Sequence, residues 1–147
     1  MSATKTTAER NKAALAEALD RIWMEGDLSF VDERFADDYV LHNPARPQGF
    51  HGPEGFKEYV GMLRSAFPDM AISCEGTVAD GDTLATRYRW RATHEGELLG
   101  IEPTGKEVVM SGMAFLRFED GMRKEDWFLD DFMGLFAQLG VVEPPTA

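Results

Sequence analysis

The chain has 147 residues, of which 15 are basic and 26 acidic, giving a formal charge of −11, and it carries one cysteine among 44% apolar residues. A chain of this size buries roughly 70% of its unfolded surface around one core. That leaves no room for a second domain, so a single domain over 1–147 is expected, frayed at Met1–Lys5 and Glu143–Ala147. The charge argues against nucleic acid and anionic lipid as partners. No stretch reaches the roughly 20 apolar residues of a membrane span, the MSATKTTAER start has no apolar signal region, and Cys74 alone cannot form an internal disulfide. A soluble cytoplasmic protein is the expectation.

Thr6 and Glu9 have the spacing of a capping box, and Leu15, Ala18, Leu19, Ile22 and Trp23 recur on one helical face, which predicts a first helix over about Thr7–Glu25 stopped by Gly26. Asp27 then caps a short second helix with Leu28, Val31 and Phe35 inward. Tyr39–His42 read as extended up to Asn43-Pro44, and Ala45–His51, holding Pro47 and Gly49, as a loop. Gly52-Pro53 opens a third helix whose Phe56, Tyr59, Val60, Leu63 and Phe67 recur at three and four residues, and Pro68-Asp69 closes it.

From Met70 the period changes to two. Asp80-Gly81 marks a hairpin between Ala71–Ala79 and Thr83–His94, where Arg87, Arg89 and Arg91 alternate with Tyr88, Trp90 and Ala92. Two longer strands, Val108–Phe118 and Met122–Asp130, flank Glu119-Asp120-Gly121, and an amphipathic helix over Phe132–Leu139 ends at Gly140. Helices first and a strongly bent antiparallel sheet afterwards is an α+β layout, in which sheet and helix enclose a cone.

Tyr88 and Trp90 would form an aromatic wall of that cone, closed by helix-three side chains or simply packed as core. Asp126, Phe128 and Asp130 share one side of the last strand, Trp127 and Leu129 the other. A carboxylate facing an aromatic cavity loses hydration and gains pKa, which makes Asp130, and after it Asp126, candidate acid/base groups. Two structural alternatives stand beside this: a bulge near Asp130 would turn it outward, and Lys124 could pair with Asp126. Asp131 is placed to cap the last helix. His42, beside Asn43 at a strand end, is a candidate catalytic group at the cavity rim, and His94 continues the Tyr88 and Trp90 side. The three histidines lack ligand spacing, so no metal is expected. Cys74 shares a strand side with Ile72 and Val78 and reads as a buried small hydrophobe.

Asn43-Pro44, Gly52-Pro53 before the third helix, the connector GIEPTGK (Gly100–Lys106) and the ending GLFAQLG (Gly134–Gly140) together resemble the SnoaL-like polyketide cyclase, or ester cyclase, branch of the NTF2-like superfamily, over about Ala13–Val142. The resemblance implies an NTF2-like cone with a pocket under a curved sheet, a homodimer, and ring closure by a cofactor-free intramolecular aldol reaction that uses an aspartate of the last strand. Phe128 occupies that aspartate's position here. Gly112 and Ala114 stand where the cyclases carry polar groups on the neighbouring strand, and Trp23 and Tyr59 stand at the corresponding helix positions. Two functions therefore remain. One is acid/base catalysis on a small apolar carbonyl or ester compound by Asp130 or Asp126, with His42, Tyr59 or His94 positioning its oxygen. The other is non-catalytic binding of a small apolar molecule in a cavity lined by Trp23, Tyr59, Trp90, Ala114 and Phe128. The opposite strand faces, with Met113, Phe115, Trp127 and Leu129, are apolar enough to be covered by a second copy of the chain.

Overall fold

The structure, a computed structural model, describes residues 4–143; the expected frayed termini lie largely outside them. Helix α1 (Thr7–Ala18) starts at the capping box: the Thr6 hydroxyl accepts from the Glu9 amide at 3.1 Å and the Glu9 carboxylate from the Thr6 amide at 3.3 Å. The expected helix to Glu25 runs on, but its last segment, Leu19–Met24, widens into a π turn in which the Glu25 amide donates to the Asp20 carbonyl at 2.9 Å. Such turns are uncommon and cluster at functional sites. This one carries Trp23, and Gly26 ends it at φ +73°.

Helix α2 (Ser29–Arg34) stops one residue before Phe35, which instead opens β1 (Phe35–Asn43) with its ring still buried. Arg46–His51, expected as a loop, is strand β2, paired antiparallel to β1 through Leu41 and Phe50. It lies at the sheet edge, where Pro47 deprives no neighbour of a hydrogen bond. Helix α3 (Gly52–Ala66) has Pro53 in its first turn and packs Phe56, Tyr59, Val60 and Leu63 against the sheet.

Strands β3 (Ala71–Asp80), β4 (Thr83–Thr93), β5 (Glu107–Glu119) and β6 (Met122–Asp130) complete one six-stranded sheet in the order β2-β1-β6-β5-β4-β3. Its pairing is antiparallel except between β1 and β6, which run parallel with Leu41 opposite Asp126; the fully antiparallel expectation missed this because the two strands are remote in sequence. The β3–β4 turn is Gly81-Asp82, one residue later than expected, and the β5–β6 turn is Asp120-Gly121 with both φ positive, as a two-residue hairpin favours.

Two bulges matter. In β6, Arg117 pairs with Glu125 and Phe118 with Arg123, so Lys124 is an extra residue, and the bulge brings Arg123 and Asp126 onto the same inward side. In β3 the register slips between Cys74 and Gly76. Cys74 is exposed there, beside the Thr77 and Thr86 hydroxyls at 2.9 and 3.2 Å, which corrects the buried assignment: β3 is an edge strand with little cover over Ser73–Gly76. Helix α4 (Phe132–Leu139) is capped by Asp131, which accepts from the Gly134 amide at 2.9 Å, and ends at Gly140 in the left-handed region. Gln138 pins it to β5 by two 2.8 Å bonds with the Val109 backbone.

Candidate active site

The concave side of the sheet, the α1–π segment and α3 enclose a hollow. Leu15, Leu19 and Trp23 come from the first helix, Phe56, Tyr59 and Leu63 from α3, and Tyr88, Trp90, Ala114, Phe128 and Asp130 from β4, β5 and β6. Counted out to its solvent mouth it holds about 520 Å³, but the centre of a water-sized sphere can range over only about 30 Å³ of it. That is room for roughly two waters; Phe128 at the lining packs edge-on to Tyr59 and Phe56 at 5.8 and 6.4 Å. A ligand larger than that enters by moving side chains, and Leu19, Ile72 and Asp130 are the half-buried ones at the lining.

Asp130 is the carboxylate at the lining of the hollow. No bulge interrupts β6 next to it, and it faces inward opposite Gly112. Its Oδ2 accepts from the Tyr59 hydroxyl at 2.5 Å and from Asn43 Nδ2 at 3.0 Å, while Oδ1 accepts from the Tyr88 hydroxyl. No lysine or arginine is paired with it among the described residues. Burial pushes the Asp130 pKa above the ordinary aspartate range, and the three donors offset that only in part. Burial likewise raises Tyr59 and Tyr88, reinforced by the neighbouring Asp130 charge, so both phenols stay protonated donors. Gly112 makes the cluster possible: a Cβ there would come within 2.6 Å of the Tyr88 hydroxyl and 2.7 Å of Asp130 Oδ1.

Asp126 also faces inward but is committed. Arg123 donates to it from Nε at 2.8 Å and from Nη2 at 2.8 Å, and the Tyr39 hydroxyl donates at 2.5 Å. Both partners are nearly sealed from solvent. Burial alone would lower the Arg123 pKa, but the carboxylate outweighs it, and the guanidinium also lies 4.9 Å from the Phe35 ring centre. Lys124, considered as the Asp126 partner, projects outward and pairs with Asp38 at 2.5 Å because of the bulge.

The two histidine candidates lie elsewhere. His42 alternates with the inward Leu41 and Asn43, so its ring sits on the outer sheet face, stacked on Trp127 at 5.3 Å with Nε2 2.6 Å from Glu125. His94 is fully buried behind Phe67, where Nδ1 accepts from the Thr104 amide at 3.1 Å; it anchors the connector between β4 and β5 and does not line the hollow. Among the described residues no group of three or more His, Cys, Asp or Glu is placed to hold a metal ion. The Arg123–Asp126 pair and the role of Tyr39 escaped the sequence reading, since a three-residue spacing in a strand normally separates faces and only a bulge unites them.

The sequence profile described as SnoaL-like polyketide cyclase matches residues 13–139. The chain belongs to this family. Nogalonic acid methyl ester cyclase of Streptomyces nogalater is 32% identical over 115 residues, covering 75% of this chain and 83% of that protein. Aklanonic acid methyl ester cyclase AcmA of Streptomyces galilaeus is 27% identical over 124 residues, 82% of this chain and 85% of that one. Among solved structures, a candidate polyketide cyclase from Acidithiobacillus ferrooxidans superposes with a TM-score of 0.80 at 34% identity over 95% of this chain and 98% of its own. AclR of Streptomyces galilaeus, described as a candidate hydroxylase, superposes at 0.82 with 27% identity over 95% and 86%. The NTF2-like cone is thus the fold of this SnoaL-like chain, and one fold carries more than one assigned chemistry.

Proposed function

We propose that this SnoaL-like protein is a cofactor-free acid/base enzyme acting on a small apolar carbonyl or ester compound, with aldol-type ring closure as its reaction and Asp130 as its acid/base group. The observation that carries the proposal is the Asp130 carboxylate: inward, partly desolvated, raised in pKa and held by neutral donors, with no cation among the described residues to consume its basicity. A carboxylate so placed is a stronger base than an ordinary aspartate. It removes a proton from carbon next to a carbonyl; the resulting enolate carbon bonds to a second carbonyl carbon, and the new alkoxide takes the proton back from Asp130. No redox partner is consumed. Arg123, the basic residue lining the hollow, is spent on Asp126, which supports an esterified or otherwise uncharged compound over a free carboxylate. The methyl esters named for the two curated relatives are compounds of that kind.

The test is turnover of nogalonic acid methyl ester and smaller β-dicarbonyl esters by the native chain and by Asp130→Asn. The variant is expected to lose roughly 10²–10⁴-fold in rate. Undiminished turnover would remove Asp130 from the mechanism. The competing reading, a non-catalytic binder, draws support from Phe128, which lines the hollow against Tyr59 and cannot move a proton. It predicts ligand binding without turnover in either form.

The same reading includes a homodimer through the outer sheet face, where Met113, Phe115, Trp127 and Leu129 are 40–65% exposed side by side on β5 and β6. Sedimentation as a monomer at micromolar concentration would refute that part. It also includes a cytoplasmic location, with Cys74 as a free thiol.

A further inference from the structure

We propose that Tyr88 is a catalytic residue whose hydroxyl serves two acceptors in turn: Asp130 Oδ1 while the carboxylate is charged, and the substrate oxygen once Oδ1 has taken the proton. The inference rests on the Asp130 reading above and deepens it, because it identifies the group that stabilises the enolate.

The two carboxylate oxygens are not equivalent. Oδ2 receives two donors, Tyr59 and Asn43, and its lone pairs are filled. Oδ1 receives Tyr88 alone and keeps a free lone pair. The incoming proton therefore lands on Oδ1. As the substrate C–H bond breaks, its electron pair moves into the enolate, whose charge collects on oxygen, while Oδ1 turns from an anionic acceptor into a hydroxyl. Tyr88 then loses its strong acceptor at the moment a stronger one forms on the substrate. Charge-assisted hydrogen bonds are about twice as strong as neutral ones, so the phenol follows the negative charge. Tyr59 keeps its place on Oδ2, held there together with Asn43. When the alkoxide of the product takes the proton back from Oδ1, Tyr88 returns to the carboxylate and the cycle closes without net consumption of acid or base.

The surroundings fit this exchange. The Tyr88 ring lines the hollow next to Phe128 at 6.2 Å, and the space its hydroxyl needs exists because residue 112 is glycine. Ala114 and Phe128 on the same wall carry no acceptor, and the Thr86 hydroxyl is engaged with the Gly76 carbonyl and Thr77.

The experiment uses 4-nitrophenolate as a stable stand-in for the enolate oxygen and the full chain in four forms. Asp130→Asn imitates the proton-loaded state, so it is expected to bind 4-nitrophenolate about tenfold or more tighter than the native chain, with the yellow absorbance of the anion preserved in the complex. Adding Tyr88→Phe is expected to cancel about tenfold of that affinity, and adding Tyr59→Phe clearly less. If Tyr88→Phe does not fold, judged by circular dichroism, Gly112→Ala in the Asp130→Asn background displaces the same hydroxyl and must give the same loss. No gain in Asp130→Asn, no loss on removing Tyr88, or a greater loss on removing Tyr59 would each overturn the assignment. Turnover plays no part in this titration, so failure of Tyr88 and failure of Asp130 as the base are separate results.

Discussion

Asp126 and Asp130 lie four residues apart on one strand and both face inward, yet their surroundings assign them opposite work. Asp126 meets a guanidinium in a two-point contact and a phenol, so its charge is neutralised and its position locked. Asp130 meets two phenols and an amide, which orient it without cancelling its charge. The difference comes from one inserted residue. The Lys124 bulge carries Arg123 to the inner face within reach of Asp126, and nothing of the kind happens four residues later. Asp126 is fully buried and Asp130 half-buried, and it is the partner's charge that separates the structural carboxylate from the reactive one.

The largest expected effect breaks the Asp126 side. Asp126→Ala strands a buried arginine and should cost about 3–5 kcal/mol of unfolding free energy, measured in urea. Replacing both partners together by apolar residues of similar volume should restore most of that loss. A cost below about 1 kcal/mol for Asp126→Ala would mean the pair is solvated and the contrast false.

The next test strains the Asp130 side without touching a titrating group. Gly112→Ala places a methyl carbon against the Tyr88 hydroxyl and Asp130 Oδ1. Displacement of a reacting group by about 1 Å can cost 10²-fold in rate, so turnover should fall by about that factor while the fold persists. Unchanged turnover would show that this cluster is not the reacting one.

A third prediction concerns stability and pH. Burial raises the folded-state pKa of Asp130 above its unfolded value. Its proton therefore contributes stability that is present in acid and is lost as pH rises through the folded pKa. Asp130→Asn, which never ionises, should be more stable than the native chain at neutral pH, with the advantage shrinking as pH falls through that range. Thermal melts across pH measure this, and a variant less stable at neutral pH would contradict it. The smallest effect belongs to His42→Ala. On the outer face it should cost less than about 1 kcal/mol and leave turnover unchanged within about twofold; a large rate loss would put the reaction on the wrong side of the sheet.

Much of the architecture was legible because it is local. The capping box at Thr6, the three-and-four spacing of α3, the Asp120-Gly121 turn and the Asp131 cap each depend on residues close in sequence. Strict alternation also put Asp126, Phe128 and Asp130 on one side of β6, as the structure has them. What stayed hidden is non-local or aperiodic. The parallel β1–β6 pairing joins strands about eighty residues apart, as Leu41 opposite Asp126 shows. Strand β2 is disguised by Pro47 and Gly49, which only an edge accommodates. The bulge at Lys124 breaks the period that made Lys124 a candidate partner of Asp126, and His42 and Cys74 were misplaced because strand side and edge exposure follow from neighbours that the sequence does not display.

The most direct measurement is the titration of the aspartate carboxyl carbons by ¹³C NMR, with the Asp130 resonance assigned by its loss in Asp130→Asn. An Asp130 pKa above the ordinary aspartate value of about 3.9, falling back when the chain is unfolded, is the predicted result. An Asp130 that titrates at or below that value would contradict a desolvated carboxylate held for proton transfer.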